Sequence, residues 1–184
     1  MNLQTLLNLL QAAQNLCGHK EYVVVGSLSI LGMAQVEAVP LDMTMSIDAD
    51  CYTRLDPPRV FDLATPLGEG SLYHREHGVY LDPVSPHLPT LPQGWEARLL
   101  AVRHQTLTAY FLEPNDAAIS KLARGEPRDL RWVRAGLKAH LVTGPVLRLR
   151  MKATAFFDAA EQEATQQRLD LLLKPGRLAS PDSY

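Results

Sequence analysis

The hydrophobic period of this chain changes abruptly at Gly18. Before it, Leu3, Leu6, Leu7, Leu10, Ala13 and Leu16 recur near i, i+3, i+4 and i+7, which predicts an amphipathic helix over residues 2–17 that the glycine ends. After it, Glu21-Tyr22-Val23-Val24-Val25-Gly26 is a β-branched run of strand length, and Ser27 onward to about Gln35 reads as a second helix. A helical stripe and a strand each have an apolar face to cover, so the pair calls for a layered α/β arrangement. With 46% apolar and 21% charged residues, the 184-residue chain has the composition of a globular core, about one domain or one domain with a helical extension.

The same two periods organise the rest. Met45, Ile47, Ala49 and Cys51 alternate with Ser46, Asp48 and Asp50, as in a half-buried strand. Pro57-Pro58 opens a short helix through Ala64, and Gly78–Asp82 reads as a strand that Pro83 stops, followed by a proline-rich loop over 83–94. Residues 99–104 and 107–112 read as a hairpin about Gln105-Thr106. Helices are expected over 116–124, from Pro127 to about Leu141, and over 158–173. The order predicts an α/β core over 1–112 followed, without an obvious linker, by a helical portion over 113–184.

A formal net charge of −2 gives the whole chain no general attraction to polyanions. Its distribution is uneven: residues 1–120 carry 6 basic and 13 acidic side chains, whereas 121–152 carry 9 and 2. That division suits a metal-holding half and an anion-holding half, although solvated helix faces have the same composition. Cys17 and Cys51 form no CxxC, and no basic residue precedes Lys20 as a leader would require. The apolar stretch from Tyr22 to Ala34 is interrupted by glycine and serine and is shorter than the roughly 20 residues of a membrane span. A cytoplasmic protein with no membrane partner is expected.

Four places could carry chemistry. Gly26-Ser27 stands at a strand-to-helix junction, where free N–H donors and a missing Cβ suit a phosphate, and where an ordinary turn with an N-cap serine would read the same. Asp48 and Asp50 share one face of a strand within roughly 7 Å, a platform for a divalent cation or two solvated acids on an edge. Asp82 ends the next strand, where turn chemistry alone also places aspartate, and with the other two it could hold a two-metal phosphoryl-transfer centre. Lys121 and Arg124 precede Asp129 across a helix break; the lysine could meet a triphosphate, and the aspartate suits the first turn of its helix in any case. His74 and His77 lack a third ligand at metal spacing and are expected on a surface loop.

Together, Val25-Gly26-Ser27, Asp48-Ala49-Asp50 and Asp82 resemble the pattern of the DNA polymerase β-like nucleotidyltransferase superfamily. Val24–Gly32, Ser46–Asp50 and Leu91–Leu99 are similar to a family of small prokaryotic nucleotidyltransferase-like proteins. Ser120–Leu130 resembles that family's second motif and the Lys and Asp motifs of abortive-infection nucleotidyltransferase toxins. The resemblance covers residues 20–140 and implies an α/β fold, a mixed sheet flanked by helices with a helical C-terminal portion. It implies Mg²⁺ (or Mn²⁺) on Asp48, Asp50 and Asp82, and NTP phosphates on Gly26 and Ser27. Lys121, helped by Arg124, would contact the triphosphate, and Asp129 would support the reaction or order that lysine. The implied activity moves a nucleoside monophosphate from NTP to a hydroxyl of RNA such as tRNA, of protein or of a small molecule, as a toxin with an antitoxin partner in some relatives. The other reading is a catalytically inactive binding or scaffold protein on the same fold.

Overall fold

The computed structural model describes residues 1–33 and 39–174, which form two compact units. The first comprises residues 1–89 and 96–113, and the second residues 90–95 together with the chain from Pro114 onward.

The first unit opens with helix α1 (Leu3–Cys17). The Asn2 side chain accepts from the Thr5 N–H at 2.8 Å, and Gly18, in the left-handed region at φ +76°, closes the other end. Its buried face is Leu6, Leu7, Leu9, Leu10 and Ala13, while Leu16 is exposed. Strand β1 (Glu21–Val24) leads into a 3-10 helix (Ser27–Gly32), then α2 (Leu41–Thr44) and strand β2 (Asp48–Thr53). A 3-10 helix over Pro57–Leu63 runs into α3 (Ala64–Leu67), followed by α4 (Leu72–His77) and β3 (Tyr80–Pro83). A 3-10 turn at Trp95–Arg98 precedes β4 (Leu100–His104) and β5 (Leu107–Phe111).

The five strands make one mixed sheet in the order β3-β2-β1-β5-β4. Central β1 is antiparallel to β2 and parallel to β5; β2–β3 is parallel and β4–β5 is the expected hairpin, turning through Gln105 at φ +53°. The α/β class, with a mixed sheet and flanking helices, is therefore as the sequence implies.

Several boundaries differ from expectation for local reasons. β2 starts at Asp48, so Met45 and Ile47 lie outside the alternating face and are 57% and 49% exposed. The helix expected from Ser27 is a 3-10 helix that stops at Gly32, and residues 34–35 of that expectation lie outside the described residues. His74 and His77 stand on α4 rather than in a loop; Ser71 caps that helix by accepting from the His74 N–H. Cys51 points to the buried side of β2 and is fully covered, and burial pushes its thiol far above the ordinary range. We therefore expect iodoacetamide to label Cys17, which is partly accessible, while Cys51 reacts only in denaturant, as peptide mass mapping would read.

The second unit is helical: α5 (Pro114–Arg124), α6 (Pro127–Lys138), α7 (Gly144–Lys152) and α8 (Ala159–Leu173). Residues 90–95 belong to it because Gln93 N–H donates to the Ala153 carbonyl at 2.8 Å and Pro92 bridges Thr154. Ala117, Ala118, Ile119, Leu122, Trp132, Val133 and Leu147 are among its buried apolar side chains. α7 had no counterpart in the sequence reading: only Leu147 and Met151 of its nine residues are buried, too short a stripe to establish a period.

Candidate functional site

The site in the first unit is built by strand register. Val25 N–H donates to the Asp50 carbonyl at 2.9 Å, after which the chain turns at Gly26 with φ +66° and ψ −149°. Ser29 Oγ–H closes that turn on the Gly26 carbonyl at 2.8 Å, and Ser27 begins the 3-10 helix. A Cβ at residue 26 would stand 2.0 Å from Asp50 Oδ2, so the carboxylate packs against the bare α-carbon. Glycine is thus required twice, by backbone conformation and by space. Gly26→Ala should cost about 1–3 kcal/mol of stability and displace Asp50, which urea titration together with the Mg²⁺-induced melting shift would report.

Asp48 and Asp50 lie on the face of β2 opposite to buried Ala49 and Cys51. In the parallel β2–β3 pair, Asp50 stands beside Asp82 and Asp48 beside Tyr80. Register therefore joins carboxylates that are far apart in sequence: one oxygen from each of Asp48, Asp50 and Asp82 lies within 4.8 Å of the others. None of the three is fully buried, and Ser46 Oγ–H donates to Asp48 Oδ1 at 2.5 Å.

The N-terminal ammonium, held by the Thr44 and Ser46 carbonyls, lies within electrostatic reach of Asp48, while the surroundings of Asp82 are dominated by negative charge. Burial, with the negative charges of Asp48 and Glu69, pushes the Asp82 carboxyl above its ordinary value, against a hydrogen bond with Asp50 that pulls it down. A divalent cation would relieve that repulsion. Three hard oxygen donors, with no imidazole or thiolate in the group, fit Mg²⁺ or Mn²⁺ rather than a thiophilic metal.

Two neighbours were not singled out by sequence. Tyr80 shares the carboxylate face; its phenol is held above the ordinary range by burial and by Asp48, Glu69, Asp82 and Asp50. Its ring meets His74 at 4.7 Å, and His74 Nδ1 accepts from the Gly70 N–H at 3.0 Å. The period of β3 carried a signal for Tyr80, two residues before Asp82. Glu69, in the turn between α3 and α4, had none.

The remaining candidates meet in the second unit. Asp129, fully buried in the first turn of α6, accepts from Lys121 Nζ at 3.1 Å and from Arg124 twice at 2.6 Å, through Nε and a terminal nitrogen. Lys121 is 3% exposed, with its ammonium 5.1 Å from the Trp132 ring centre, whereas the Arg124 side chain is half-exposed. Burial alone would raise the Asp129 carboxyl, but the Arg124 hydrogen bonds and the Lys121 charge hold it below the ordinary carboxylate range.

Gly26, Ser27, Asp48, Asp50 and Asp82 thus gather in one unit, and Lys121, Arg124 and Asp129 in the other. No helix among the described residues is long and apolar enough to cross a membrane. No curated protein and no solved structure matches the chain. A family model described as a nucleotidyltransferase of unknown function (DUF6036) matches residues 4–171, a span that takes in every candidate residue. The chain, matched over nearly its whole length, belongs to that nucleotidyltransferase family.

Proposed function

We propose that this protein transfers a nucleoside monophosphate from an NTP to an acceptor hydroxyl, with Mg²⁺ or Mn²⁺ held by Asp48, Asp50 and Asp82. The observation that carries the reading is the convergence of those three carboxylates beside the Gly26 turn. When bound, the metal supplies positive charge to the phosphoryl group in transfer. The acceptor oxygen bonds to the α-phosphorus, the bond from that phosphorus to the oxygen bridging it to the β-phosphorus breaks, the hydroxyl proton passes to solvent and pyrophosphate leaves. Gly26, lacking a Cβ, allows close approach of phosphate oxygens at the turn where Ser27 begins the 3-10 helix. In this reading the half-exposed Arg124 is the phosphate contact that the second unit offers, and Asp129, itself held by buried Lys121, fixes its orientation.

The test is incubation of the purified chain with each α-labelled NTP, Mg²⁺ and total RNA or cell lysate. Label on RNA, protein or a small molecule, with pyrophosphate released, supports the reading and identifies the acceptor. Calorimetric binding of Mg²⁺–NTP with no labelled product from any of the four nucleotides would instead assign a catalytically inactive binding or scaffold role. A toxin role with an antitoxin partner rests on the sequence resemblance alone. It requires that expression arrest growth and that Asp50→Asn relieve the arrest.

A further inference from the structure

We infer that the exposed face of α6 is a docking surface for the phosphodiester backbone of a single nucleic-acid strand. The inference goes beyond the nucleotidyl-transfer reading and stands on charge that the described residues of the second unit leave unmatched. Of the 9 basic residues between 121 and 152, Lys121 and Arg124 are held by Asp129, Arg148 pairs with Asp170 at 3.2 Å, and Arg150 pairs with Asp116 at 2.9 Å. The remaining five are Arg128, Arg131, Arg134, Lys138 and Lys152. Among the described residues no side chain of these five has an ion-pair or hydrogen-bond partner, and four of the five stand on α6.

Helical geometry turns that remainder into a stripe. At 3.6 residues per turn, Arg131, Arg134 and Lys138 fall within roughly a 60° sector, with Arg128 flanking it, and the four span about 15 Å along the axis. The opposite side of the helix is sealed by Asp129, Trp132, Val133, Gly136 and Leu137, and Ala135 is buried between Arg131 and Arg128; Arg128, Arg131 and Lys138 are exposed and Arg134 is half-buried. Positive charges at i, i+3 and i+7 repel and destabilise a helix unless an anion lies along them. Spaced guanidinium and ammonium groups fit successive phosphates of an extended strand.

The same face does not suit a membrane surface. A helix lying on a bilayer needs exposed apolar anchors, and no large apolar side chain of α6 is exposed. Nor does it read bases, because the one aromatic residue of α6, Trp132, is buried, so the contact is to backbone phosphates and indifferent to sequence.

The test uses the full chain, a fluorescent 20-nucleotide single-stranded RNA, and EDTA with no NTP, read by fluorescence anisotropy between 50 and 200 mM KCl. Four phosphate contacts on a single strand predict about a 50-fold loss of affinity across that range. A DNA strand of the same sequence should bind within a few-fold of the RNA. Arg131→Gln/Arg134→Gln/Lys138→Gln should lower affinity at 50 mM salt at least about tenfold and flatten the logarithmic salt slope by about 2 units. The charge-keeping Arg131→Lys/Arg134→Lys variant should bind like wild type, and melting no lower than wild type in both variants separates charge from folding. Wild-type affinity and slope in the triple variant, no RNA binding at 50 mM salt, or binding to phosphatidylserine vesicles without RNA binding would each overturn the inference. Metal and nucleotide are absent throughout, so its failure leaves the transfer reaction untouched, and failure of transfer leaves it standing.

Discussion

Asp50→Asn should remove nucleotidyl transfer, by at least about 10³-fold, while the folded chain survives. The fold survives because what Asp50 gives the sheet is its backbone: the carbonyl that accepts from Val25 N–H and the register with Asp82 do not depend on the carboxylate. Asparagine has the same shape, so the contact with the bare α-carbon of Gly26 also remains. What changes is charge. The Asp82 carboxyl, raised by burial and by Asp48 and Glu69, gains no relief from a metal that an amide binds poorly. In EDTA the variant should melt no lower than wild type, since one of three crowded negative charges has gone. In Mg²⁺ the wild type should gain stability by mass action and the variant should not. Scanning calorimetry with and without Mg²⁺, beside the label-transfer assay, reads both halves. Wild-type transfer by the purified variant would remove the carboxylate cluster from the reaction.

The parts of this site that could be read from sequence are those fixed by local periodicity. Asp48 and Asp50 were legible as a pair because a strand has period 2 and both their flanks, Ala49 and Cys51, are core residues. Gly26 was legible as a turn, but its second constraint was not: the approach of Asp50 Oδ2 is a cross-strand fact that needs the antiparallel β1–β2 pairing. Asp82 was legible as a strand-ending aspartate that could complete the set, but its placement depends on a parallel register with β2 that no local pattern encodes. Glu69 is the extreme case, reaching the carboxylates from a turn whose path is set by packing of the short helices around it. Boundaries failed where the period was weak. Ser27–Gly32 has the apolar content of an α-helix but folds as 3-10, and α7 buries too little of itself to announce its presence.

Asp129→Ala should be the most destabilising single change in the second unit, by about 3–5 kcal/mol. Asp129 is fully buried and accepts from two cations, so its removal takes a buried anionic partner from the Lys121 ammonium, itself 3% exposed, and both of the Arg124 hydrogen bonds with it. Arg124 can swing its half-exposed guanidinium into water, but Lys121 cannot without opening the helix packing. Lys121→Met should cost less, because Asp129 keeps both Arg124 hydrogen bonds. Asp129→Leu/Lys121→Met should recover part of what Asp129→Ala loses, because no lysine is then left buried without its carboxylate. The pH dependence has a fixed sign. The folded Asp129 carboxyl is held below its unfolded value, so its stabilisation is complete above the unfolded pKa of about 3.9 and is lost as pH falls through the lower folded one. Urea midpoints of wild type and Asp129→Ala should therefore differ by a constant amount from pH 7 down to about 5 and converge below pH 4. A gap that stayed constant to pH 2 would mean that the carboxylate charge contributes nothing and that Asp129 acts only by filling space.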